Sequence, residues 1–183
     1  MYHVKLDKRS QASAKLILAG LYTCLEAKPF AKITVADIQR ASSVGRATFY
    51  RLFDNLSDVL SYECSLILQE FLQRPQPDNT SERFAAFFKD WMTHDVLLAA
   101  LMTSGNRDLL YVAFRAHALE LRQLLSPQAD LTSDETDFFI YIATSAVIGA
   151  LAMWLQHDRQ ETPEQLTAMM VKTLTTVTVT FNH

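Results

Sequence analysis

The sequence predicts an all-α protein, and three observations carry that reading. Gly and Pro are scarce, four and five in 183 residues, so long stretches contain no breaker. Apolar residues recur at three- and four-residue spacing between the breakers, the period of an amphipathic helix. Good capping residues, Thr34, Asn55, Ser81 and Thr132, stand just ahead of those stretches. A hydrophobic fraction of 49% with 20% charged residues fits a globular chain rather than a disordered one.

The net charge of −3 conceals a division. Residues 1–53 carry nine Lys/Arg against three Asp/Glu, a net of +6; the remaining 130 carry eight against seventeen, a net of −9. A basic end on an acidic body points to a polyanion partner at one end only. Cys24 and Cys64 lie in apolar contexts without metal spacing and read as buried free thiols. The first ten residues lack the apolar run of a signal peptide. The most apolar window, 138–155, includes Thr144 and Ser145 between acidic flanks. It reads as a buried interface helix, since a membrane span needs about 20 strongly apolar residues. The expected location is the cytoplasm, with no membrane partner.

A first helix is predicted over Ser10–Ala27, started by Ser10 or Ser13. Leu16, Ile17, Ala19, Gly20, Leu21, Cys24 and Leu25 supply its apolar face, and Lys8, Arg9 and Lys15 cluster at its beginning. Pro29 stops it, and Phe30 and Ile33 anchor the link. Thr34 caps the next helix, Val35 to Ala41, with Asp37 reaching back to complete a capping box. Val35, Ile38 and Ala41 form its inner face. Ser42-Ser43-Val44-Gly45 makes a sharp turn into a second short helix, Arg46–Phe53, with Phe49 and Phe53 inward. Arg46, Thr48, Tyr50 and Arg51 then face outward. Two short helices so joined form a helix-turn-helix unit, whose second helix enters the major groove of DNA. Arg46 can donate twice to a guanine edge, and Thr48 can meet a base edge or a thymine methyl. Tyr50 and Arg51 are phosphate donors. The plainer alternative is an ordinary polar helix face.

The stretch Ile33 to Leu60, ITVADIQRASSVGRATFYRLFDNLSDVL, resembles the amino-terminal domain of the TetR-type (tetracycline-repressor) family of bacterial transcriptional regulators. Thr34, Asp37, Ile38, Val44, Thr48, Phe49, Tyr50, Phe53 and Leu60 carry the likeness, with the T-F-Y-x-x-F core its most specific part. The resemblance implies a ligand-responsive regulator, most often a repressor, that binds double-stranded DNA at a palindromic operator as a homodimer. It implies a helix-turn-helix domain over 1–54 and a helical ligand-binding and dimerisation domain over 55–183. Together with the spacing argument it assigns Thr34, Ser43, Gly45, Arg46, Thr48, Tyr50 and Arg51 to DNA. No cofactor, metal or enzymatic activity is expected.

Departures from the family pattern have consequences. Ser42-Ser43 replaces Ala-Gly, so either Ser43 accepts a glycine-like geometry or the turn differs. Gly45 stands where a capping Ser is common, and Ala47 where Gly is common. Leu56 occupies the place of a phosphate-binding Lys, so that contact is missing or supplied by Lys8, Arg9 or Lys32. These changes motivate a second reading: a helical small-molecule-binding or interaction module with weak or lost DNA binding.

Asn55 caps a fourth helix, with Asp58 at its third position, running from Leu56 toward Leu72. Its apolar stripe is Leu60, Cys64, Ile67, Leu68 and Phe71. In the resembled family this helix links head to body, and its shift under a bound ligand changes head separation. Pro75–Asn79 is a loop. Ser81 starts a fifth helix to about His94, Asp95–Met102 forms a sixth ended by Thr103-Ser104-Gly105, and Asn106–Leu125 a seventh. Pro127 opens the next loop. The resemblance implies a cavity for a small-molecule effector of unknown identity, with Phe88, Trp91, His94, Met102, Tyr111, Phe114 and His117 as candidate lining. Taken singly, each aromatic reads as core, and His117 as a satisfied core histidine.

Thr132 starts a long helix to about His157 that is apolar on two faces, one through Ile140, Val147 and Trp154, the other through Phe139, Ile142 and Met153. Small residues, among them Ser145, Ala146, Gly149 and Ala150, permit close helix approach. A helix apolar most of the way round is expected to be buried. Pro163 after Thr162 begins the last helix; its β-branched end, TTVTVTF, stays helical because a lone strand has no partner. Self-association through about 132–181, as a four-helix bundle, is expected. Sequences for zinc hydrolysis, redox cysteines, a nucleophile elbow, or dinucleotide or phosphate loops are absent.

Overall fold

The computed structural model describes residues 2–126 and 130–180. Among the described residues the chain forms ten α-helices and one 3-10 turn, with no strand, as the all-α reading requires. The loop expected at Pro127 and the last expected helical residue, Phe181, lie outside the described residues. The chain divides into two compact units, Met1–Leu66 with Val96–Leu109, and Ile67–Asp95 with Leu110–His183.

In the first unit, α1 spans Lys8–Ala27, a 3-10 turn Phe30–Lys32, α2 Val35–Ser42 and α3 Arg46–Leu52, followed by the first half of α4, Leu56–Gln73. The start of α1 corrects the expectation of a serine cap. The Asp7 carboxylate accepts from the Ser10 N–H (2.9 Å) and the Ser10 hydroxyl (2.8 Å), and an anion suits the positive end of a helix better than a hydroxyl. The inner face is Ala14, Ile17, Leu18, Leu21 and Cys24. Leu16 and Ala19, expected inward, face solvent because they fall off that i, i+3, i+4 stripe.

α2 packs on α1 through Gly20. A Cβ there would lie 2.9 Å from the Ser42 Cβ and 3.1 Å from the Ile38 carbonyl oxygen, so only glycine allows the approach. The crossing turns Ile38 and Ser42 inward and leaves Ala41 exposed, a correction to the expected Val35/Ile38/Ala41 face. The helix also runs one residue further. Asn55 caps α4, accepting from the Asp58 N–H at 2.9 Å, and the predicted stripe Leu60, Cys64, Ile67, Leu68 and Phe71 is buried. Most of α6, Asp95–Thr103, belongs to this unit and buries Leu97, Leu98, Ala100 and Leu101. Gly105 then turns the chain at φ +72°. Beyond it, Asn106 accepts from the Ser57 hydroxyl (2.9 Å) and donates to Ser104 Oγ (2.7 Å).

In the second unit, α5 spans Thr80–Met92. Asn79, not Ser81, is its cap, accepting from the Ser81 N–H at 2.8 Å; the amide oxygen two residues earlier takes the N–H that Ser81 itself exposes. The expected seventh helix is two, α7 Asp108–Ala116 and α8 Ala118–Leu125, broken at His117 (φ −118°, ψ 28°). Neither Gly nor Pro marks the break. It re-aims α8 so that Leu121 is buried while Leu119 faces solvent. Phe87 sits within 5.1–6.1 Å of the rings of Phe71, Phe114 and Trp91, forming the aromatic core of the unit.

α9 spans Ser133–Gln156 behind the predicted Thr132 cap, with Glu135 completing a capping box, and α10 spans Pro163–Thr180. α9 buries Thr136, Ile140, Thr144, Val147, Ile148, Leu151 and Trp154. Of its second apolar face, Ile142 and Met153 are exposed and Phe139 is half-buried, and the neighbouring Phe138 and Tyr141 are exposed as well. The expected full burial is therefore not met within one chain. α9 is long and apolar enough to cross a membrane, with 33% of its most apolar window buried. Core helices of globular proteins satisfy the same length and composition. α10 turns Leu166, Thr167 and Met170 inward, and residues 171–179 are exposed. Its Thr173, Thr175, Thr176 and Thr178 hydroxyls donate to carbonyls three or four residues earlier, so they are satisfied within the helix.

Gly20→Ala gains about 1 kcal/mol of helix propensity yet meets backbone atoms of α2 that cannot yield. A net loss of about 1–3 kcal/mol is expected from overpacking, read as a lower urea midpoint for the amino-terminal unit.

Candidate functional site

α3 has seven residues, fewer than the ~12–15 that an isolated helix needs to persist in water. Burial holds it instead. Phe49 and Phe53 are wholly buried and Leu52 nearly so, each contributing roughly 1.5–3 kcal/mol. The two phenylalanine rings lie 5.9 Å apart, and Phe53 meets Tyr62 of α4 at 5.7 Å. With that side anchored, Arg46, Tyr50 and Arg51 are exposed and Thr48 half-buried. The Arg46 guanidinium lies 5.5 Å from the centre of the Tyr50 ring, one turn away, a cation–π contact that restricts its rotamers. Arg46 and Arg51 have no ion-pair partner among the described residues. The four outward residues expected from spacing do share this surface.

The start of α2 and the turn between α2 and α3 are held by local bonding. The Thr34 hydroxyl accepts from the Asp37 N–H (3.2 Å), while the Asp37 carboxylate accepts from the Thr34 N–H (2.9 Å) and hydroxyl (2.7 Å). Lys28 reaches the same carboxylate at 2.6 Å and Arg40 at 3.5 Å. The Lys28 bond, then those from Thr34, hold the Asp37 carboxyl well below the usual carboxylate range. Thr34 is thus a capping residue, and Lys28 and Arg40 are partly neutralised. Ser43 adopts the left-handed conformation (φ 57°, ψ 18°), so the glycine-like geometry is kept without glycine. The Ser42 hydroxyl accepts from the Val44 N–H at 3.2 Å and tightens the turn. Gly45 precedes α3 in extended conformation without a side-chain cap, and a Cβ there would meet nothing within 4 Å. Leu56 is half-exposed; Lys8, Arg9 and Lys32 are exposed.

The first residues of the chain, silent in the sequence, join this site. The His3 N–H donates to the Leu52 carbonyl at 2.7 Å, and its ring stands 3.2 Å from Asp54. The Tyr2 ring packs edge-on against Tyr62 at 5.1 Å, and its hydroxyl donates to Ser65 at 3.3 Å. No periodicity could mark so short an irregular segment. Deeper in the unit, the Tyr22 hydroxyl donates to the buried Glu63 at 2.9 Å; burial first, then Glu63, push the tyrosine hydroxyl up. Burial also pushes up the Cys64 thiol. Both cysteines are free and buried, which suits an unreactive packing role.

Among the expected effector residues, the structure brings Phe88, Trp91 and Phe114 into the aromatic core. The others lie elsewhere. His94 borders a polar cleft of about 440 Å³ with Glu70, Arg74 and Asp90; burial lowers its pKa and Glu70 opposes that. Tyr111 stacks on Tyr141 at 4.8 Å and borders an exposed groove of about 390 Å³ with Phe138 and Arg115. His117 stands at the α7–α8 break, 3.8 Å from Glu120, half-exposed and not a core histidine. Met102 is half-buried on α6, in the other unit. An apolar groove of about 260 Å³, lined by Phe84, Leu125, Phe139, Ile142, Met170 and Leu174, was not foreseen, because it assembles from four helices, α5, α8, α9 and α10. The indole N–H of Trp91 is buried without a hydrogen-bond partner among the described residues.

A helix-turn-helix unit followed by a helical body is the build of a transcriptional regulator. Residues 78–176 match a family model described as the transcriptional regulator C-terminal region of the TetR class. The chain belongs to the TetR family of transcriptional regulators. Its fold is similar to the crystal structure of Lin0861 from Listeria innocua, with a TM-score of 0.73 and 17% identity over 96% of each chain. It is also similar to a TetR transcriptional regulator from Streptococcus agalactiae, with a TM-score of 0.62 and 22% identity over 89% of this chain and 93% of that one. At these identities the likeness speaks for the fold alone. No curated protein matches the sequence.

Because the folded Asp37 carboxyl titrates below its ordinary value of 3.8, its contribution to stability is complete above that pH. It is lost as pH falls further. Asp37→Asn should therefore lower the stability of the amino-terminal unit at neutral pH and flatten its acid dependence below about pH 4, measured by denaturant titration across pH.

Proposed function

We propose that this chain is a ligand-responsive repressor that binds a roughly palindromic operator as a homodimer in the cytoplasm. Residues 1–54 contact DNA, and 55–183 hold the effector and the partner copy. The observation that carries the reading is the solvent-facing set Arg46, Thr48, Tyr50 and Arg51 on a helix whose other side is anchored in the core. Its two cations have no ion-pair partner among the described residues, the state expected of groups kept for phosphates or base edges. Arg46 and Thr48 read bases; Tyr50 and Arg51 bind phosphate; Thr34, Ser43 and Gly45 shape the turn and expose backbone there. Exposed Lys8, Arg9 and Lys32 stand in for the lysine that Leu56 replaces.

Self-association is supported by the open apolar face of α9 and α10, where Ile142, Met153, Met169, Leu174 and Val177 are 40–61% exposed. Such a face is uncommon on a monomer. Gly149 has open space above it, where a second helix can come close. Twofold symmetry then sets half-sites roughly 34–36 Å apart, or a multiple of that. An effector is supported by the buried indole N–H of Trp91, which has no hydrogen-bond partner among the described residues. An effector favouring one arrangement of α4, the helix that enters both units, shifts the heads and releases DNA. An effector that saturates the protein and leaves operator affinity unchanged would end this account of regulation.

On the duplex that the wild type prefers, Arg46→Ala and Thr48→Ala should each cost about 1–3 kcal/mol and relax preference at single base positions. Arg51→Ala should weaken all duplexes alike and reduce the salt slope by about 1. Equal losses from all three on every duplex would refute the division of roles. A chain that binds no duplex would favour the second reading, a ligand-binding or interaction module.

The double change Ile142→Asp with Leu174→Asp should yield monomers by sedimentation and abolish tight operator binding while helicity persists. Dimers that survive these charges would place the interface elsewhere.

A further inference from the structure

α3 is short, its amino-terminal cap Gly45 provides no side-chain acceptor, and its last carbonyls need partners outside the helix. One of those partners is His3. Its backbone N–H donates to the carbonyl of Leu52, the final residue of α3, at 2.7 Å. The neighbouring Tyr2 is fastened to α4 twice, by its ring against Tyr62 at 5.1 Å and by its hydroxyl to Ser65 at 3.3 Å. Tyr62 in turn contacts Phe53 at 5.7 Å, immediately after α3. The His3 ring reaches Asp54 at 3.2 Å, in the link between α3 and α4. Residues 2 and 3 therefore touch the end of α3, the link and two successive turns of α4, although they lie some fifty residues away in sequence.

We propose that Tyr2-His3 is a strap that positions the recognition helix: it closes the open end of α3 and ties it to α4. This rests on the reading of α3 as the DNA-contacting helix. The strap acts on α3 through Leu52, Asp54 and Tyr62. It restricts α3 to one presentation before DNA arrives, so less conformational freedom is lost on binding. It also joins α3 directly to the helix that continues into the second unit, so a movement of α4 reaches the reading surface through a fixed contact as well as through the link.

The test compares Tyr2→Ala, Tyr2→Phe and His3→Pro in the full chain. Tyr2→Ala removes the ring and the hydroxyl, Tyr2→Phe removes the hydroxyl alone, and His3→Pro deletes the donor to Leu52. Amide exchange is read residue by residue in the DNA-free protein, alongside affinity for the duplex the wild type selects. Tyr2→Ala and His3→Pro should each speed exchange in 46–52 and weaken DNA binding by about fivefold to tenfold, the scale of one lost intramolecular hydrogen bond. Exchange in α9 should stay unchanged, and Tyr2→Phe should restore most of the affinity and protection. Unchanged exchange in 46–52 in both disrupting variants would overturn the proposal. Weakened DNA binding with unchanged exchange would overturn it too, showing direct contact instead of positioning. A wild type that selects no duplex would defeat the DNA reading, while the exchange comparison would still judge the strap. If one disrupting variant unfolds globally, seen as faster exchange in α9 as well, the other disrupting variant supports or overturns the strap by the same criteria.

Discussion

A helix of two turns has too few internal hydrogen bonds to persist in water, so α3 owes its existence to taking Phe49, Leu52 and Phe53 out of solvent. That one constraint organises the amino-terminal unit. It decides which side chains of α3 face outward, and it requires α1 and α2 to lie close enough to form the receiving core. The closeness comes from Gly20, whose missing Cβ admits the backbone of Ile38 and Ser42. It also requires a turn short enough to double the chain back, met by Ser43 in a left-handed conformation. Arg46, Tyr50 and Arg51 remain exposed because Phe49, Leu52 and Phe53 commit the opposite side inward.

The body repeats the logic with a different outcome. α9 is apolar on both sides, and one chain has core enough for only one of them. Its buried stripe through Ile140, Val147 and Trp154 is matched by an open one through Phe138, Ile142 and Met153. α10 shows the same split: Leu166 and Met170 are sheltered, Leu174 and Val177 are not. The threonines at its end satisfy their hydroxyls within the helix, so the exposed face is built from methyl groups more than from polar ones. An open apolar face of that extent is the strongest physical reason to expect a second copy.

What could be read in advance was whatever a few neighbouring residues decide. The Thr34–Asp37 capping box, the helix start at Thr132, the Asn55 cap, the inward Phe49 and Phe53 and the outward Arg46 and Arg51 are all local, and the structure shows each of them. The differences arise where distant parts of the chain decide the outcome. Ala41 lost its place inside because α1 meets α2 at Gly20. The break at His117 has no Gly or Pro to announce it and answers to how Leu121 must pack. Asp7, not Ser10, holds the first cap, and Ser10 is turned into the core. The strap of Tyr2 and His3 was invisible, since its partners Leu52, Asp54, Tyr62 and Ser65 lie fifty to sixty residues on. Residue type and region alone mark the candidate effector residues, and packing sends Phe88, Trp91 and Phe114 to the core while leaving His94 and Tyr111 on separate clefts.

The central claim is that the face of α3 reads DNA in a twofold arrangement, and selection of bound sequences from a pool of random duplexes tests it most directly. With the full chain at physiological salt, the account predicts enrichment of one motif with twofold symmetry, its half-sites about one helical turn or a simple multiple apart. A pool that stays unenriched, or a motif without symmetry, would contradict it.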